Sequence, residues 1–302
     1  MSPRKLAPAR VYAPGLAVLR PAAIALLIAT AAPGMVFAES VEKGAPGHPA
    51  PERSAEAFAR AGDMAVTGGD VNSAVAFYQK ACSLAPRDAM YKLKLGEALV
   101  RAGAAPDAYT VLQQARTLDH NKSSEIDLAL GRVTLRLDRP QEALTYLQSA
   151  QAKSTEDPAV WNALGVTHDA LGDHAGAQSD YQKGLAAKPG DMALRNNLGL
   201  SQALAGDYPA AIATLSAVAA DPRATAGNRL NLSLAYGLAG DDQHAAEAAR
   251  RDLGEADNAA NRQYYRLLKA MDDKTRTRAV FGLGAPVQAA SAAPPPSPPT
   301  QR

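Results

Sequence analysis

The sequence predicts an all-α array of six helix-turn-helix repeats closed by a C-terminal capping helix, and three observations carry that expectation. Glycines at Gly62, Gly96, Gly131, Gly165 and Gly199 are spaced 34, 35, 34 and 34 residues apart, and a further step of 34 reaches Ser233. A fixed period of that length marks one supersecondary unit repeated along the chain. A second column, Ala74, Ala108, Ala143, Ala177, Ala211 and Ala245, slips by the same single residue at the same step. Between the two columns stands a breaker, Gly69, Gly103, Asp138, Gly172, Gly206 or Gly240, often followed by aspartate as in Asp70, Asp173, Asp207 and Asp241. Glycine ends one helix in the left-handed region and aspartate caps the start of the next.

The first 38 residues come before the array. They hold Arg4, Lys5, Arg10 and Arg20 without an acid, then an apolar run from Ala22 to Ala32, then Val36, Phe37 and Ala38. Basic, apolar and small residues in that order read as a secretory signal peptide cut after Ala38. An uncleaved anchor is the competing reading, but the apolar run falls well short of the ~20 residues a spanning helix needs. Those residues account for four of the 32 basic side chains and none of the 30 acidic ones, so the remainder is close to neutral. A nucleic-acid footprint is therefore not expected. Residues 39 to 54, with Pro46, Pro49 and Pro51, read as a flexible linker. Glu39 rather than cysteine follows the expected cut, which leaves no site for a lipoprotein anchor there. Cys82 is the single cysteine, so no internal disulfide forms, and its plainer reading is a small buried hydrophobe.

The repeats divide at 55–88, 89–123, 124–157, 158–191, 192–225 and 226–259. In the fourth, Trp161, Leu164 and Gly165, then Ala177, Tyr181 and Pro189, resemble the tetratricopeptide repeat pattern W-x2-L-G-x2-Y, A-x3-F and P, with His168 where tyrosine is preferred. The resemblance implies a right-handed solenoid that binds proteins. A third column, Tyr78, Leu112, Leu147, Tyr181, Leu215 and Ala249, is apolar and completes the helix-pair core. After the array, Ala260, Tyr264, Leu267, Leu268 and Met271 share one helical face, so 260–273 is expected to cap the last repeat. From 274 to 302 the chain ends in prolines and reads as a disordered tail, a spacer more simply than a docking motif.

Function in such an array belongs to a surface. With Leu164, Gly165 and His168 toward the partner helix, Asn162, Val166 and Asp169 fall on the inner face. The same face carries Leu128, Arg132 and Leu135 in the third repeat, Asn196 and Leu200 with neighbouring Asn197 in the fifth, and Leu230 and Leu234 with Asn231 in the sixth. Leucine and asparagine together suit an amphipathic or extended protein segment, the amide offering a donor and an acceptor. Asparagines that satisfy the next repeat are the competing reading. Catalysis is not expected: His168 and His174 straddle a turn, and no phosphate-cradling loop or nucleophile elbow is present. No metal and no cofactor are expected.

A narrower resemblance rests on Asn196 to Gly206, on Asn231 to Gly240 one repeat later, and on Asn261, Tyr264 and Tyr265. These segments resemble the TadD family of tight-adherence (Flp) pilus assembly. The resemblance implies a periplasmic or outer-membrane-associated assembly factor, with a secretin or another pilus component as partner and membrane association at most indirect. Members of that family are usually lipoproteins, and Glu39 departs from that. A general periplasmic scaffold and the regulatory half of an envelope enzyme complex remain open beside it.

Overall fold

The computed structural model describes residues 50–283. The expected signal peptide, most of the expected linker and the proline-rich end lie outside the described residues. Those described form fourteen helices and no strand. They divide into two compact units, 50–120 and 121–283.

In the first unit α1 (Ala50–Thr67) packs on α2 (Val71–Leu84), α2 on α3 (Ala89–Arg101), and α3 on α4 (Ala105–Leu118). The second unit repeats this pairing in α5 (Ser124–Arg136) with α6 (Pro140–Lys153), α7 (Pro158–Leu171) with α8 (His174–Ala187), and α9 (Met192–Leu204) with α10 (Tyr208–Ala219). A shorter pair follows, α11 (Ala226–Ala239) with α12 (Asp242–Ala249). The odd-numbered helices α5, α7, α9 and α11 form the inner row, each touching the next.

The helix ends are set by the residues that the sequence pattern singles out. The breaker glycines have φ between 78° and 92°, and Asp138 takes the same role at φ 60°. Asp70, Asp173, Asp207 and Asp241 accept hydrogen bonds from the backbone N–H groups of Ser73, Gly176, Ala210 and His244, so these four second helices start with a satisfied cap, while the other two, without a side-chain cap, carry Pro106 and Pro140 in their first turn.

Small residues decide how close the two helices of a pair come. A Cβ placed on Gly62, Gly96, Gly131, Gly165 or Gly199 would lie 2.4–2.6 Å from the side chain of Tyr78, Leu112, Leu147, Tyr181 or Leu215 respectively. The third column therefore lies directly over the first, and the alanine column beside it is completely buried. In the sixth pair the column changes at both places together. Ser233 replaces glycine where the opposing residue shrinks to Ala249, and its hydroxyl donates to the Ala245 carbonyl at 2.7 Å and meets Tyr265 Oη at 2.9 Å. Cys82 on α2, expected as a buried hydrophobe, is half-buried, and burial pushes its thiol up.

Three boundaries differ from the sequence expectation. Helix α1 already begins at Ala50, inside the expected linker. The capping helix is α13 (Glu255–Ala270), which starts early because α12 stops at Ala249, and it packs on α11 and α12. Where a disordered tail is expected from 274, the chain forms α14 (Asp273–Phe281). Asp272 caps it by accepting from the Thr275 N–H, and Gly282 closes it at φ 62°. Its few apolar residues, Ala279, Val280 and Phe281, are outweighed in composition by the prolines beyond, yet they suffice once they meet a preformed surface.

The column geometry yields a stability prediction. Alanine is favoured over glycine inside a helix by roughly 1 kcal/mol, but Gly165→Ala drives a Cβ into Tyr181 and should destabilise by about 1–3 kcal/mol net. Gly190→Ala, in an open loop with no atom within 4 Å of the new methyl, should stay within about 0.5 kcal/mol. Urea unfolding midpoints of the two variants check this; equal midpoints would reject the column packing.

Candidate functional site

The inner row of the second unit carries the residues expected to line a partner groove, and the structure sorts them into three groups. The leucines are buried. Leu128 and Leu135 belong to a cluster with Ala143, Leu147, Val160 and Leu164, against which Leu283 packs. Leu200 and Leu234 belong to a second cluster with Leu204, Tyr265, Leu268 and Val280. Leu230 is buried as well, and Val166 is half-buried, packed against the Leu128 cluster on one side and the Tyr181 cluster on the other. The expected open leucine stripe is therefore corrected: α14 lies against α7 and α9 and contributes Val280 and Phe281 to the apolar surface there. Arg132 is exposed.

The asparagines form the second group. Asn197 Nδ2 donates to Asn162 Oδ1 at 2.9 Å, joining α9 to α7. Asn231 Nδ2 and Asn228 Nδ2 donate to Asn196 Oδ1 at 2.9 and 3.2 Å, joining α11 to α9. Asn196 and Asn231 are buried, whereas Asn162 and Asn197 are half-buried. Of the two sequence readings, the amides here satisfy the next repeat. Their low helix propensity is offset by hydrogen bonds across repeat seams, where an unpaired polar group would be costly.

Asp169 is the third case. It is fully buried, and its carboxylate accepts from Tyr181 Oη at 2.9 Å and from Ser201 Oγ at 2.7 Å, with His174 Nδ1 at 2.7 Å. The other ring nitrogen of His174 lies 3.2 Å from Asp273 Oδ2. One chain of polar groups thus ties α7, α8, α9 and α14. Burial pushes the Asp169 carboxyl up, against the pull of its three hydrogen-bond partners. The hydrogen bond to Asp169 pushes His174 up from the ordinary 6.5, with Asp273 adding to it. His168, on the same helix as Asp169, faces α8 and sits 2.7 Å from Asp180, which pushes it up likewise. The last contact of this kind pairs Arg278 Nη2 with Asp138 Oδ1 at 2.8 Å, at the α5–α6 turn.

Sequence reasoning missed α14 and therefore missed Asp273, Arg278 and Val280. The signal was present in the Asp272–Thr275 cap, the apolar Ala279–Phe281 and the closing Gly282. Among the described residues no group of three or more His, Cys, Asp and Glu side chains is placed to hold a metal ion.

Helical hairpins stacked through small-residue columns, with an inner row of helices carrying the polar and apolar contacts, define a repeat scaffold whose business is contact with other polypeptides. The sequence matches the tetratricopeptide repeat family at residues 55–88 and, in overlapping segments, at 93–158, 128–191 and 162–228. More than half of the chain is covered, and the protein belongs to that family. Among solved structures it is similar to a tetratricopeptide repeat protein from Parabacteroides merdae, at 17% identity over 76% of this chain and 91% of that one, with a TM-score of 0.58. Pseudomonas aeruginosa pilF is similar at 16% identity over 76% of this chain and 99% of that one, with a TM-score of 0.54. The MamA protein is 28% identical over 55% of this chain and 90% of that one, with a TM-score of 0.46. The first two share the fold. No curated protein matches the sequence.

The histidine chemistry predicts a pH dependence. A histidine whose folded pKa lies above its unfolded value stabilises fully below the unfolded value, and that stabilisation is lost as pH rises through the folded one. The melting temperature should therefore fall as pH rises above the ordinary 6.5 and through the raised folded values, and His174→Gln should flatten the fall, leaving the share that belongs to His168. Thermal melts across that range provide the check, and parallel slopes for the two proteins would exclude His174 as a source.

Proposed function

We propose that this tetratricopeptide repeat protein is an exported, non-catalytic assembly factor of the cell envelope, working in Flp-type pilus biogenesis by holding a protein partner on its inner helix row. The observation that carries the protein-binding part is the inner face itself. It presents Val166, Asn162 and Asn197 half-buried beside an apolar surface that accepts a helical segment, α14. Such a mixture suits recognition of an amphipathic helix, in which a few apolar anchors supply affinity and polar groups at the edge fix register. The export part rests on the basic, apolar and small-residue order ending at Ala38. The pilus part rests on the resemblance of the Asn196–Gly206 and Asn231–Gly240 segments to the TadD family. A secretin is the first partner to test.

Three measurements test this. Mature protein from the envelope fraction should begin at Glu39 on N-terminal sequencing, and a start at Ser2 would overturn cleavage. Deletion of the gene should abolish surface pili, and crosslinking of the full chain in the envelope should join it to a pilus component. Normal piliation in the deletion strain would overturn the pilus role while leaving protein binding to be judged separately.

A further inference from the structure

Helix α14 is held where a ligand would be held. Its inward positions Asp273, Thr277 and Val280 follow the spacing i, i+4 and i+7 of one helical face. Asp273 meets His174, Val280 joins the Leu200–Leu234 cluster, and Thr277 is fully buried. Beyond its end, Leu283 packs on the Leu128–Leu135 cluster, and Arg278 pairs with Asp138. One short segment thus reaches from the fourth repeat to the third along the inner row and satisfies both its charges and its apolar anchors.

The fit is imperfect in a way that favours exchange. The Thr277 hydroxyl and Arg278 Nε are buried with no hydrogen-bond partner, as is Gln202 Oε1 on α9. Buried polar groups left unpaired weaken an association. Both charged pairs are partly open to water, with Asp273 48% and Arg278 30% exposed, so neither is strong. The helix has nine residues, two of them β-branched threonines, and is too short to persist alone. It folds because it is docked. Its tether is short: Arg276 donates to the Leu268 and Met271 carbonyls at the end of α13, so release is a swing at Met271 and Asp272 in which these two bonds are exchanged for water.

We infer that α14 is a displaceable internal ligand of the inner face, and that the partner is an amphipathic helix of the same chemistry: a carboxylate near its start to meet His174, an arginine about five residues on to meet Asp138, and apolar residues following to take the places of Val280 and Leu283. This rests on the reading of the inner row as the protein-binding face, and is independent of which envelope machine the partner serves. A partner helix with an apolar residue in place of Thr277 avoids the unpaired hydroxyl, so it competes with α14 although α14 has the advantage of covalent attachment.

The test uses the full chain and a fluorescent peptide of residues 271–283. With its own helix docked, the native protein should bind this peptide weakly, because only the open fraction is competent. Arg278→Glu places two acids together at the Asp138 turn. It should speed amide hydrogen exchange across 274–281 and tighten peptide binding by about tenfold or more, while far-ultraviolet circular dichroism keeps the helical array. Adding Asp138→Arg to Arg278→Glu should restore slow exchange. Thr277→Val, which removes the unpaired hydroxyl, should act in the opposite sense, slowing exchange and reducing peptide binding. The inference is overturned if Arg278→Glu alters neither exchange nor peptide affinity, or if the native protein binds the peptide as tightly as Arg278→Glu does. It is also overturned if the native protein is a dimer that Arg278→Glu converts to monomer, which would mean exchange of α14 between copies. None of these readouts depends on pilus function, so loss of the pilus role leaves this result standing, and the reverse holds too.

Discussion

The structure depends on how closely the two helices of a pair approach. At five places a glycine of the first helix lies under a tyrosine or leucine of the second, with no room for a methyl group between them. Close packing of this kind leaves little tolerance, since protein interiors are as dense as organic crystals. The sixth pair obeys the same constraint from the other side: with Ala249 in the second helix, Ser233 fits in the first, and Tyr265 of α13 fills the remaining space. Gly237 is then needed under Tyr265, where an added Cβ would come within 2.2 Å of the ring. The capping helix is thus received by a modified version of the contact that builds each pair.

Polar side chains do a different job at the seams between pairs. Asn162 to Asn197, Asn196 to Asn228 and Asn231, and Asp169 to Ser201 each bridge neighbouring pairs of the second unit. Buried or half-buried and hydrogen-bonded across the seam, they fix the register of one pair against the next, because a sliding step would leave these amides and a carboxylate unpaired. The contacts of α14 are of another grade. They consist of two half-exposed charged pairs, the Arg276 hydrogen bonds to the end of α13 and a few apolar side chains, on a segment with unpaired buried polar atoms. Local stability is not uniform in folded chains, and segments that must move are drawn from its low end. The array is therefore the rigid part of the second unit and α14 the part able to exchange, which gives His174 a double place: bonded inward to the rigid Asp169 and outward to the exchangeable Asp273.

The repeat period, the small-residue columns, the breaker glycines and the aspartate caps were legible because each is a local rule repeated in register. Helix pairing follows from them, and Gly165 with Ala177 and Tyr181 displays the whole motif within one unit. The inner face was legible only as a set of positions. Leu128, Leu200 and Leu234 fall on it by periodicity, but periodicity does not say whether such a face is left for a partner or covered by the chain itself. Likewise Asn196 and Asn231 were readable as unusual on a helix, while their choice between a ligand backbone and each other depends on side chains 35 residues apart meeting across a seam.

The sequence by itself determined the all-α repeat architecture, because helix propensity, capping and the spacing of small residues act within a few turns of chain. Only the tertiary structure decided what lies on the inner row. A nine-residue segment with three apolar residues has no helix of its own to announce. It becomes one when Asp273, Val280 and Arg278 meet His174, the Leu200–Leu234 cluster and Asp138, groups contributed by repeats as much as 140 residues earlier in the chain. Contacts of that separation leave no periodic trace, since their free energy comes from a surface that exists only after the repeats have stacked.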